Sequence, residues 1–325
     1  MKIAPFWPAA ALLFVLGAAS TFAVDEYYFV AGYIVLQGLI MATAWNILGG
    51  FTGYVNFGSA GFFAMGAYTS VVLYTAIDPP VFVAIVAAAV VCGLLGFGAG
   101  YLTLRLRGVY FAIATLALAI VLETLMVNWD YVGGATGAFI ITPDTEFFPS
   151  YNAFMFVLML ALAIGSVGLA RYLNYSRIGR GLAAIRDDEV AAECAGVPTL
   201  RLKLISTTIM GAMMGVAGAL YPYFVTFVEP LSAFNLIVAV NAIAMPMIGG
   251  TATWVGPVIG ALLLGSVQEW TKVNISSELN LLIVGVLLVG FVALAPQGIV
   301  GLAQKFGAWI RAHREKRQGD GRAAA

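Results

Sequence analysis

Long runs of apolar residues, separated by short polar stretches, make up most of the chain. A helix needs about 20 predominantly apolar residues to cross a bilayer, and it satisfies its own backbone hydrogen bonds there. The pattern therefore predicts about ten transmembrane helices and an all-α, polytopic membrane protein. The predicted spans are Ala9–Val24, Tyr28–Leu48, Tyr54–Ala76, Val81–Leu104, Val109–Asn128, Tyr151–Leu173, Leu204–Val228, Phe234–Ile248, Trp254–Trp270 and Leu279–Leu302.

Two of these segments allow a second interpretation. Ala9–Val24 follows Lys2 and has small residues near Ala23, so it is either the first span or a cleaved signal sequence. Phe234–Ile248 is short and polar enough to be a re-entrant segment instead of a crossing. We expect both to cross, the second with a break near Pro246, because losing that crossing alone would move the basic C-terminal tail outside.

The composition agrees with a chain that lies in lipid. Hydrophobic residues make up 62% of the chain and charged residues only 10%, whereas a soluble domain carries about 25% charge. A soluble enzyme, a nucleic-acid-binding protein and a disordered protein are excluded on this ground. Lys+Arg and Asp+Glu both total 16, so the net charge says nothing about partners.

The positions of the charges orient the predicted helices. Lys and Arg of short loops stay on the cytoplasmic side of a membrane. With the N-terminus inside, every basic residue except Lys272 falls in an inner loop or in the tail, and the outer loops are acidic. The sequence thus predicts cytoplasmic N- and C-termini, a transmembrane domain over 1–304 with a long inner loop at 174–203, and a basic cytoplasmic tail over 305–325.

The inner loop 174–203 contains a predicted surface helix. Residues 180–195 are mostly good helix formers, Gly196 suits the left-handed conformation after a helix, and Pro198 cannot continue one. A face of small alanines, rimmed by the charged run from Arg186 to Glu189, suits a groove on another protein. The alternative is a solvated loop whose charges only set the topology.

The chain offers little for catalysis or for binding a metal or a nucleotide. Its single histidine, His313, lies in the charged tail, and Cys92 and Cys194 are too few and too differently placed for a disulfide framework. No Lys follows a Gly, so the phosphate-binding pattern Gly-x-x-x-x-Gly-Lys is absent and a partner must bind any ATP. We expect no catalytic residue, no metal site and no cofactor in this chain.

Four residues are candidates for a translocation pathway. Glu123 is the acidic residue well inside an apolar span, where a charge requires a partner or a water-filled cavity. Asn56, Ser59 and Thr115 add uncharged hydrogen-bonding groups on segments whose glycines allow close backbone approach. The alternatives are a Glu123 bonded to a neighbouring helix, and glycines that serve helix packing alone.

Several glycine-rich and charged motifs follow one another between residues 30 and 300. They are Trp45–Gly53 with Asn56–Gly58, Leu104–Leu116, Gly133–Gly137, Arg186–Gly196, Gly218–Tyr221, Gly249–Thr251 and Trp254–Ala261. Together they resemble the branched-chain amino-acid permease family of ABC importers, in particular its LivM-like subunit.

The resemblance implies a function and a set of partners. The 174–203 loop would be the coupling loop that docks onto an ATP-binding subunit, through Arg186, Asp187, Asp188, Glu189, Ala192 and Gly196. The implied partners are a second permease in a heterodimer, two cytoplasmic ATP-binding subunits and an external solute-binding protein. The implied location is the inner membrane, and the implied cargo is a branched-chain or related amino acid, with urea and amides carried by relatives.

A transporter of a different class remains open. An ion-coupled secondary transporter of a small solute would work without ATPase subunits and would need buried carboxylates or broken helices for its coupling ion. Glu123 and Glu269 are the candidates for that role. An intramembrane enzyme is a weaker alternative, because the sequence offers neither a nucleophile with its base nor metal-ligand spacing.

Overall fold

The computed structural model describes residues 6–21, 25–141, 149–274, 277–294 and 298–303, and helices dominate it. In chain order they are α1 (Phe6–Ser20), α2 (Glu26–Thr52), α3 (Ser59–Ile77), α4 (Val81–Thr103), α5 (Val109–Val127), α6 (Tyr151–Tyr175), α7 (Arg177–Asp187), α8 (Glu189–Cys194), α9 (Thr199–Ala219), α10 (Tyr221–Val225), α11 (Pro230–Ala233), α12 (Leu236–Gly249), α13 (Val255–Asn274) and α14 (Ser277–Leu294). Short 3-10 helices cover Asp130–Val132 and Gly134–Thr136, and residues 298–303 are helical. The strands β1 (Ala138–Phe139) and β2 (Phe227–Val228) pair antiparallel.

Seven helical segments among the described residues are long and apolar enough to cross a membrane. They are Glu26–Thr52, Ser59–Ile77, Val81–Thr103, Val109–Val127, Tyr151–Tyr175, Thr199–Val225 and Pro230–Gly249. The other three predicted spans correspond to α1, α13 and α14, of which α1 and the 282–291 part of α14 are apolar but shorter. The prediction of an all-α, polytopic membrane protein is confirmed. The count of about ten spans and the orientation of the termini stay predictions.

Helix α2 lies at the centre of the bundle. In its most apolar stretch 83% of the residues are buried, against 28% for α5. Helices α6, α9, α12 and α13 pack around it, while α9 also packs along α3 and α4. Small residues allow the closest of these approaches, as between membrane helices generally. A side chain at Gly66 of α3, for example, would overlap the backbone of Gly215 on α9.

The predicted span 54–76 starts too early, because α3 begins only at Ser59. Gly53 adopts φ +79 and ends α2. The Asn56 side chain then accepts a hydrogen bond from the Gly58 N–H at 2.7 Å. This bond gives the Gly58 N–H a partner without a helix. Residues 53–58 therefore form a turn between two helices, called the α2–α3 turn below.

The predicted break near Pro246 is also wrong. Helix α12 continues through Pro246 to Gly249, and such prolines are tolerated in membrane helices because neighbouring groups satisfy the freed backbone. The interruption lies instead between α11 and α12. There the Asn235 side chain accepts a hydrogen bond from the Ile237 N–H at 2.9 Å and caps the start of α12.

Loops that the charge pattern assigned to one side of the membrane lie on one face of the bundle. Arg107, between α4 and α5, approaches Glu189 of the 174–203 loop to 3.8 Å. On the opposite face β1 and β2 join the α5–α6 and α10–α11 connections. Successive long helices thus alternate in direction. The predicted basic tail at 305–325 lies outside the described residues.

Candidate functional site

The 174–203 loop folds into two helices, so the prediction of one helix over 180–195 is wrong. Helix α7 ends at Asp187, Asp188 is extended (φ −160, ψ 112), and α8 begins at Glu189. The Asp188 carboxylate accepts hydrogen bonds from the backbone N–H groups of Val190 (2.9 Å) and Ala191 (3.0 Å). This cap satisfies donors that a continuous helix would have bonded internally, and it turns the chain at Asp188.

The end of α8 follows the prediction. Gly196 adopts φ +83, in the left-handed region that favours glycine. The N–H of Val197 donates to the Ala192 carbonyl at 3.0 Å and closes the helix end. Thr199, at the start of α9, donates its hydroxyl to the Glu193 carboxylate at 2.6 Å. The short connection between α8 and α9 is therefore held by specific bonds.

A charged cluster lies where the 174–203 loop meets the transmembrane helices. Lys203 Nζ of α9 donates to Glu189 Oε1 at 2.6 Å, and the Tyr54 hydroxyl of the α2–α3 turn donates to Glu189 Oε2 at 2.6 Å. Lys203 Nζ also lies 3.1 Å from the Tyr54 hydroxyl and 3.4 Å from the Leu104 carbonyl. Arg107 Nε is 3.8 Å from Glu189 Oε2. Tyr54, Arg107, Glu189 and Lys203 are called the Glu189 cluster below.

Glu189 is ionised although its side chain is largely buried. The side chains of Lys203 and Glu189 are 4% and 13% exposed. Burial opposes ionisation of Glu189, but hydrogen bonds from Lys203 and Tyr54 and the charges of Lys203 and Arg107 outweigh it and lower its pKa below the usual 4.5. Burial and the neighbouring carboxylate raise the pKa of Tyr54, so its hydroxyl stays protonated and donates.

A second contact attaches the loop to the end of α2. Arg186 Nη1 donates to the Gly50 carbonyl at 3.4 Å, and the Arg186 stem lies against Gly53. Leu182 and Ile185 of α7 are 0% and 3% exposed, so one face of this amphipathic helix is buried in the bundle. The loop is therefore packed onto the membrane domain and does not extend freely from it.

The six predicted coupling residues fall into two groups. The Asp187 side chain is 75% exposed and that of Arg186 is 33% exposed, and Asp188 and Gly196 are exposed as well. The Glu189 side chain is 13% exposed and bonded within the Glu189 cluster, and Ala192 is 5% exposed. The first group is accessible to a partner, whereas Glu189 and Ala192 face the chain's own helices.

Three of the four pathway candidates lie together. Asn56, Ser59 and Thr115 are 1%, 1% and 3% exposed. Thr115 Oγ1 of α5 accepts a hydrogen bond from the Phe57 N–H at 3.2 Å, which ties the α2–α3 turn to α5. The Ser59 hydroxyl has no hydrogen-bond partner among the described residues. Glu123 lies apart from them, about 12 Å along α5 from Thr115.

The sequence did not predict the roles of Lys203, Tyr54 and Arg107. The two basic residues serve in the charge pattern only to orient helices. One signal for Lys203 is available, since it stands between Leu202 and Leu204 at the start of an apolar span, where a Lys requires a partner. The partner itself is not visible in the sequence, because Tyr54 and Glu189 are 135 positions apart.

The fold and the site together define a multi-pass helical membrane protein with a structured two-helix loop packed on one face. The chain matches, over residues 28–292, the family described as branched-chain amino acid transport system / permease component. The chain therefore belongs to this family, and the resemblance inferred from its motifs is confirmed. It is a permease component of an ABC transporter, a transport subunit and not itself an enzyme.

Three relatives show the range of the similarity. The high-affinity branched-chain amino acid transport system permease protein LivM of Escherichia coli (strain K12) is 26% identical over 318 residues, which cover 90% of this chain and 74% of LivM. The corresponding LivH protein of Salmonella typhimurium is 27% identical over 165 residues, 51% of this chain and 53% of LivH. The guanosine ABC transporter permease protein NupP of Bacillus subtilis is 28% identical over 256 residues, 72% of this chain and 69% of NupP. No solved structure matches the chain.

Proposed function

We propose that this chain is the permease subunit of an ABC importer that moves branched-chain or related amino acids across the inner membrane. Partner subunits would supply the ATP hydrolysis. The observation that carries the proposal is the 174–203 loop, whose two helices pack onto the membrane domain. Its exposed residues lie at the end of α7, at the break between α7 and α8, and after α8; they are Arg186, Asp187, Asp188 and Gly196. A rigid, exposed loop of this kind suits docking of a cytoplasmic subunit, because movement of the docked subunit then displaces the attached helices.

In this mechanism the loop converts a change in the ATP-binding subunits into a change in the pathway. ATP binding closes the ATPase dimer, and α7 and α8 move with the subunit on which they dock. Contacts of the loop with the end of α2, with the α2–α3 turn and with α9 carry the movement into the bundle. ATP shifts the equilibrium between inward- and outward-facing states only through contacts that differ between those states.

The proposed assembly has four kinds of subunit. This permease would pair with a second permease in a heterodimer, and two cytoplasmic ATP-binding subunits would dock on the pair. An external solute-binding protein would deliver the substrate. Support comes from the relatives, since proteins named LivM and LivH both match this chain and both bear the name of a branched-chain amino acid transport system.

The proposed substrate class rests on the extent of each similarity. The LivM relative of Escherichia coli covers 90% of this chain, whereas the guanosine permease NupP covers 72%. We therefore propose that the substrate is a branched-chain or related amino acid and not a nucleoside. Selectivity would lie mainly in the separate solute-binding protein, so a substrate test must include that protein.

Gentle extraction tests the proposal. The chain is purified in mild detergent from its native membrane, the bound chains are identified, and ATPase activity is measured with and without leucine-loaded binding protein. We expect a second permease and ATP-binding subunits, with ATPase activity stimulated by the loaded binding protein. A chain that purifies alone after gentle extraction, or a complex that leucine-loaded binding protein does not stimulate, would contradict the proposal.

A pair of tryptophan variants tests which surface docks the ATP-binding subunits. Asp187→Trp places bulk on the exposed loop and is expected to reduce co-purification of these subunits, because it blocks a close-packed interface. Asp130→Trp adds the same bulk on the opposite face of the bundle, where Asp130 is exposed, and should leave the complex intact. Equal retention of the ATP-binding subunits by both variants would exclude the loop as their docking site.

Transport by the chain alone would favour the ion-coupled alternative. Of its two candidate carboxylates, Glu269 forms an ion pair with Lys272 at 2.6 Å, which leaves Glu269 neutralised within the chain. The decisive assay is uptake by the purified chain in liposomes under an ion gradient, without ATPase subunits. We expect no uptake above that of protein-free liposomes.

A further inference from the structure

The Glu189 cluster joins four separate elements of the fold. Tyr54 belongs to the α2–α3 turn, Arg107 to the α4–α5 connection, Glu189 to the start of α8 and Lys203 to α9. Glu189 contacts each of the other three within 3.8 Å. Glu189 thus contacts three elements outside α7 and α8 through two hydrogen bonds and one ion pair.

Both carboxylate oxygens of Glu189 are occupied within the chain. Oε1 accepts from Lys203, and Oε2 accepts from Tyr54 and faces Arg107. The side chain is only 13% exposed. A partner group that displaced Lys203 from this carboxylate would break a buried ion pair, and removal of one member from such a pair is strongly unfavourable. The Glu189 side chain therefore faces the chain's own helices, whereas the neighbouring Asp188 is exposed.

We propose that Glu189, paired with Lys203 and Tyr54, is the positioning residue that transmits movement of the 174–203 loop to the transmembrane helices, and that it does not contact the ATP-binding subunit. This inference rests on the proposed function, because it assumes that an ATP-binding subunit moves the loop. It reverses the role that the motif resemblance implies for Glu189, while leaving Arg186, Asp187, Asp188 and Gly196 as the exposed docking residues.

The contacts of the cluster trace a continuous route into the bundle. Glu189 holds Tyr54 at 2.6 Å, and the same turn donates the Phe57 N–H to Thr115 of α5 at 3.2 Å. In the other direction Lys203 stands on α9, which packs along α3 and α4. A displacement of α8 therefore pulls on α5 through the turn and on α9 through the ion pair. Contiguous contacts alone do not establish energetic coupling, so the test must measure coupling directly.

The test separates coupling from folding by comparing single and double variants in the complete complex. Glu189→Gln leaves the Lys203 ammonium buried without its counter-ion. The double variant Glu189→Gln/Lys203→Met removes both charges, a replacement that buried ion pairs often tolerate without loss of stability. Three quantities are measured in proteoliposomes: retention of the ATP-binding subunits, the ATPase rate, and the amount of amino acid transported per ATP hydrolysed.

We expect the double variant to retain its ATP-binding subunits and its ATPase rate, and to transport about tenfold less amino acid per ATP. Tyr54→Phe keeps the ring and removes one hydroxyl donor, so it should lower the same ratio by a smaller factor in a chain that folds. Lys272→Gln is the matched control. It breaks the Glu269–Lys272 pair, which has the same 2.6 Å length but a Lys side chain 38% exposed, and should leave the ratio unchanged.

Two outcomes would overturn the inference. A folded double variant and a Tyr54→Phe variant that both transport normally per ATP would reduce the cluster to a scaffold. Loss of the ATP-binding subunits from either variant, with the permease pair still assembled, would make Glu189 part of the docking surface after all. Failure of the proposed function itself is distinguishable, because the wild-type chain would then purify without ATP-binding subunits.

Discussion

At the scale of single residues, Glu189 remains charged because its surroundings offset the effect of burial. Lys203, Tyr54 and Arg107 all favour the carboxylate, so the pKa of Glu189 in the folded chain lies below its ordinary 4.5. A group of this kind binds its proton more weakly in the folded than in the unfolded chain. Its contribution to stability is complete above pH 4.5 and is lost as the pH falls through the lowered folded pKa.

This linkage predicts how the stability of Glu189→Gln depends on pH. The wild-type chain should unfold at a higher temperature than the variant at neutral pH, because the variant lacks the ion pair with Lys203. The difference between the two unfolding temperatures should stay constant down to about pH 5 and shrink as the pH falls below 4.5, since Gln cannot titrate. Thermal unfolding of both proteins in the same detergent across this pH range measures it. A gap that is independent of pH would contradict the assigned role of the carboxylate.

At the scale of single elements, the Asp188 cap is expected to determine the stability of α8. Asp188→Ala removes the acceptor for the N–H groups of Val190 and Ala191. Loss of such a cap costs about 1 kcal/mol. We expect backbone hydrogen exchange at these two positions to accelerate about fivefold, the factor that corresponds to that energy.

Asp187→Ala is the matched control for this prediction. Asp187 is the preceding residue, its side chain is 75% exposed, and its carboxylate faces Arg186 at 3.5 Å. The Asp187→Ala variant should leave the hydrogen exchange of the Val190 and Ala191 amides unchanged. If both alanine variants exchange alike, the break between α7 and α8 does not depend on the Asp188 side chain.

The close approach of α3 and α9 yields another prediction for an element. A Cβ at Gly218 would overlap the Phe63 carbonyl on α3, whereas a Cβ at Gly98 of α4 meets nothing within 4 Å. Because rigid backbone cannot give way as a side chain can, Gly218→Ala should cost about 3 kcal/mol or more. Gly98→Ala should be neutral or slightly stabilising, because Ala favours helices. Thermal unfolding in detergent compares the two, and equal midpoints would exclude close packing at Gly218.

The helices of this fold are more predictable from the sequence than their ends and their contacts are. An apolar run long enough to cross lipid dictates a helix wherever it occurs, and each predicted span has one. The turn at 53–58 and the break at Asp188 depend on a few hydrogen bonds that the side chains of Asn56 and Asp188 accept from the backbone, and these bonds compete with helix formation. Hydropathy contains no information about these bonds.

In the candidate site, too, local features were predictable from the sequence and contacts between distant residues were not. The loop 174–203 and its terminal Gly196 were predictable, because composition and helix-ending chemistry are local properties. The inward direction of Glu189 was not, since it depends on Lys203 and Tyr54, and Tyr54 lies on a distant part of the chain. A motif shows that a residue type is present, whereas only the packed structure shows which way its side chain faces.

At the scale of the whole molecule, α2 contacts both the 174–203 loop and the connection between α12 and α13. Asn46 of α2 donates to the Thr253 carbonyl, between α12 and α13, at 3.1 Å. One turn further on, the Gly50 carbonyl accepts from Arg186 of α7. Displacement of the 174–203 loop therefore acts on the central helix α2 and, through α2, on the connection between α12 and α13. This arrangement suits a subunit that changes state as a unit.

The bundle is also unevenly covered by its own chain. Helix α5 is the least buried of the seven candidate spans, at 28%. It carries Glu123, which is partly exposed and makes no hydrogen bond or ion pair with a described residue. A carboxylate facing lipid hydrocarbon is costly. The Glu123 side of α5 is therefore expected to be covered in the assembled transporter, and under the proposed function the covering chain is the second permease.

Site-specific photo-crosslinking tests this last expectation. Ile120 is 55% exposed and lies three residues from Glu123 on the same side of α5, and Val86 on α4 is 64% exposed. Under the proposed function, a photoreactive residue at position 120 should label the second permease in the native complex, because that chain would cover the Glu123 side of α5. The same residue at position 86, where the helix carries no charge, should label lipid instead. Labelling of lipid alone from position 120 would show that the Glu123 side of α5 faces lipid and would contradict the expectation.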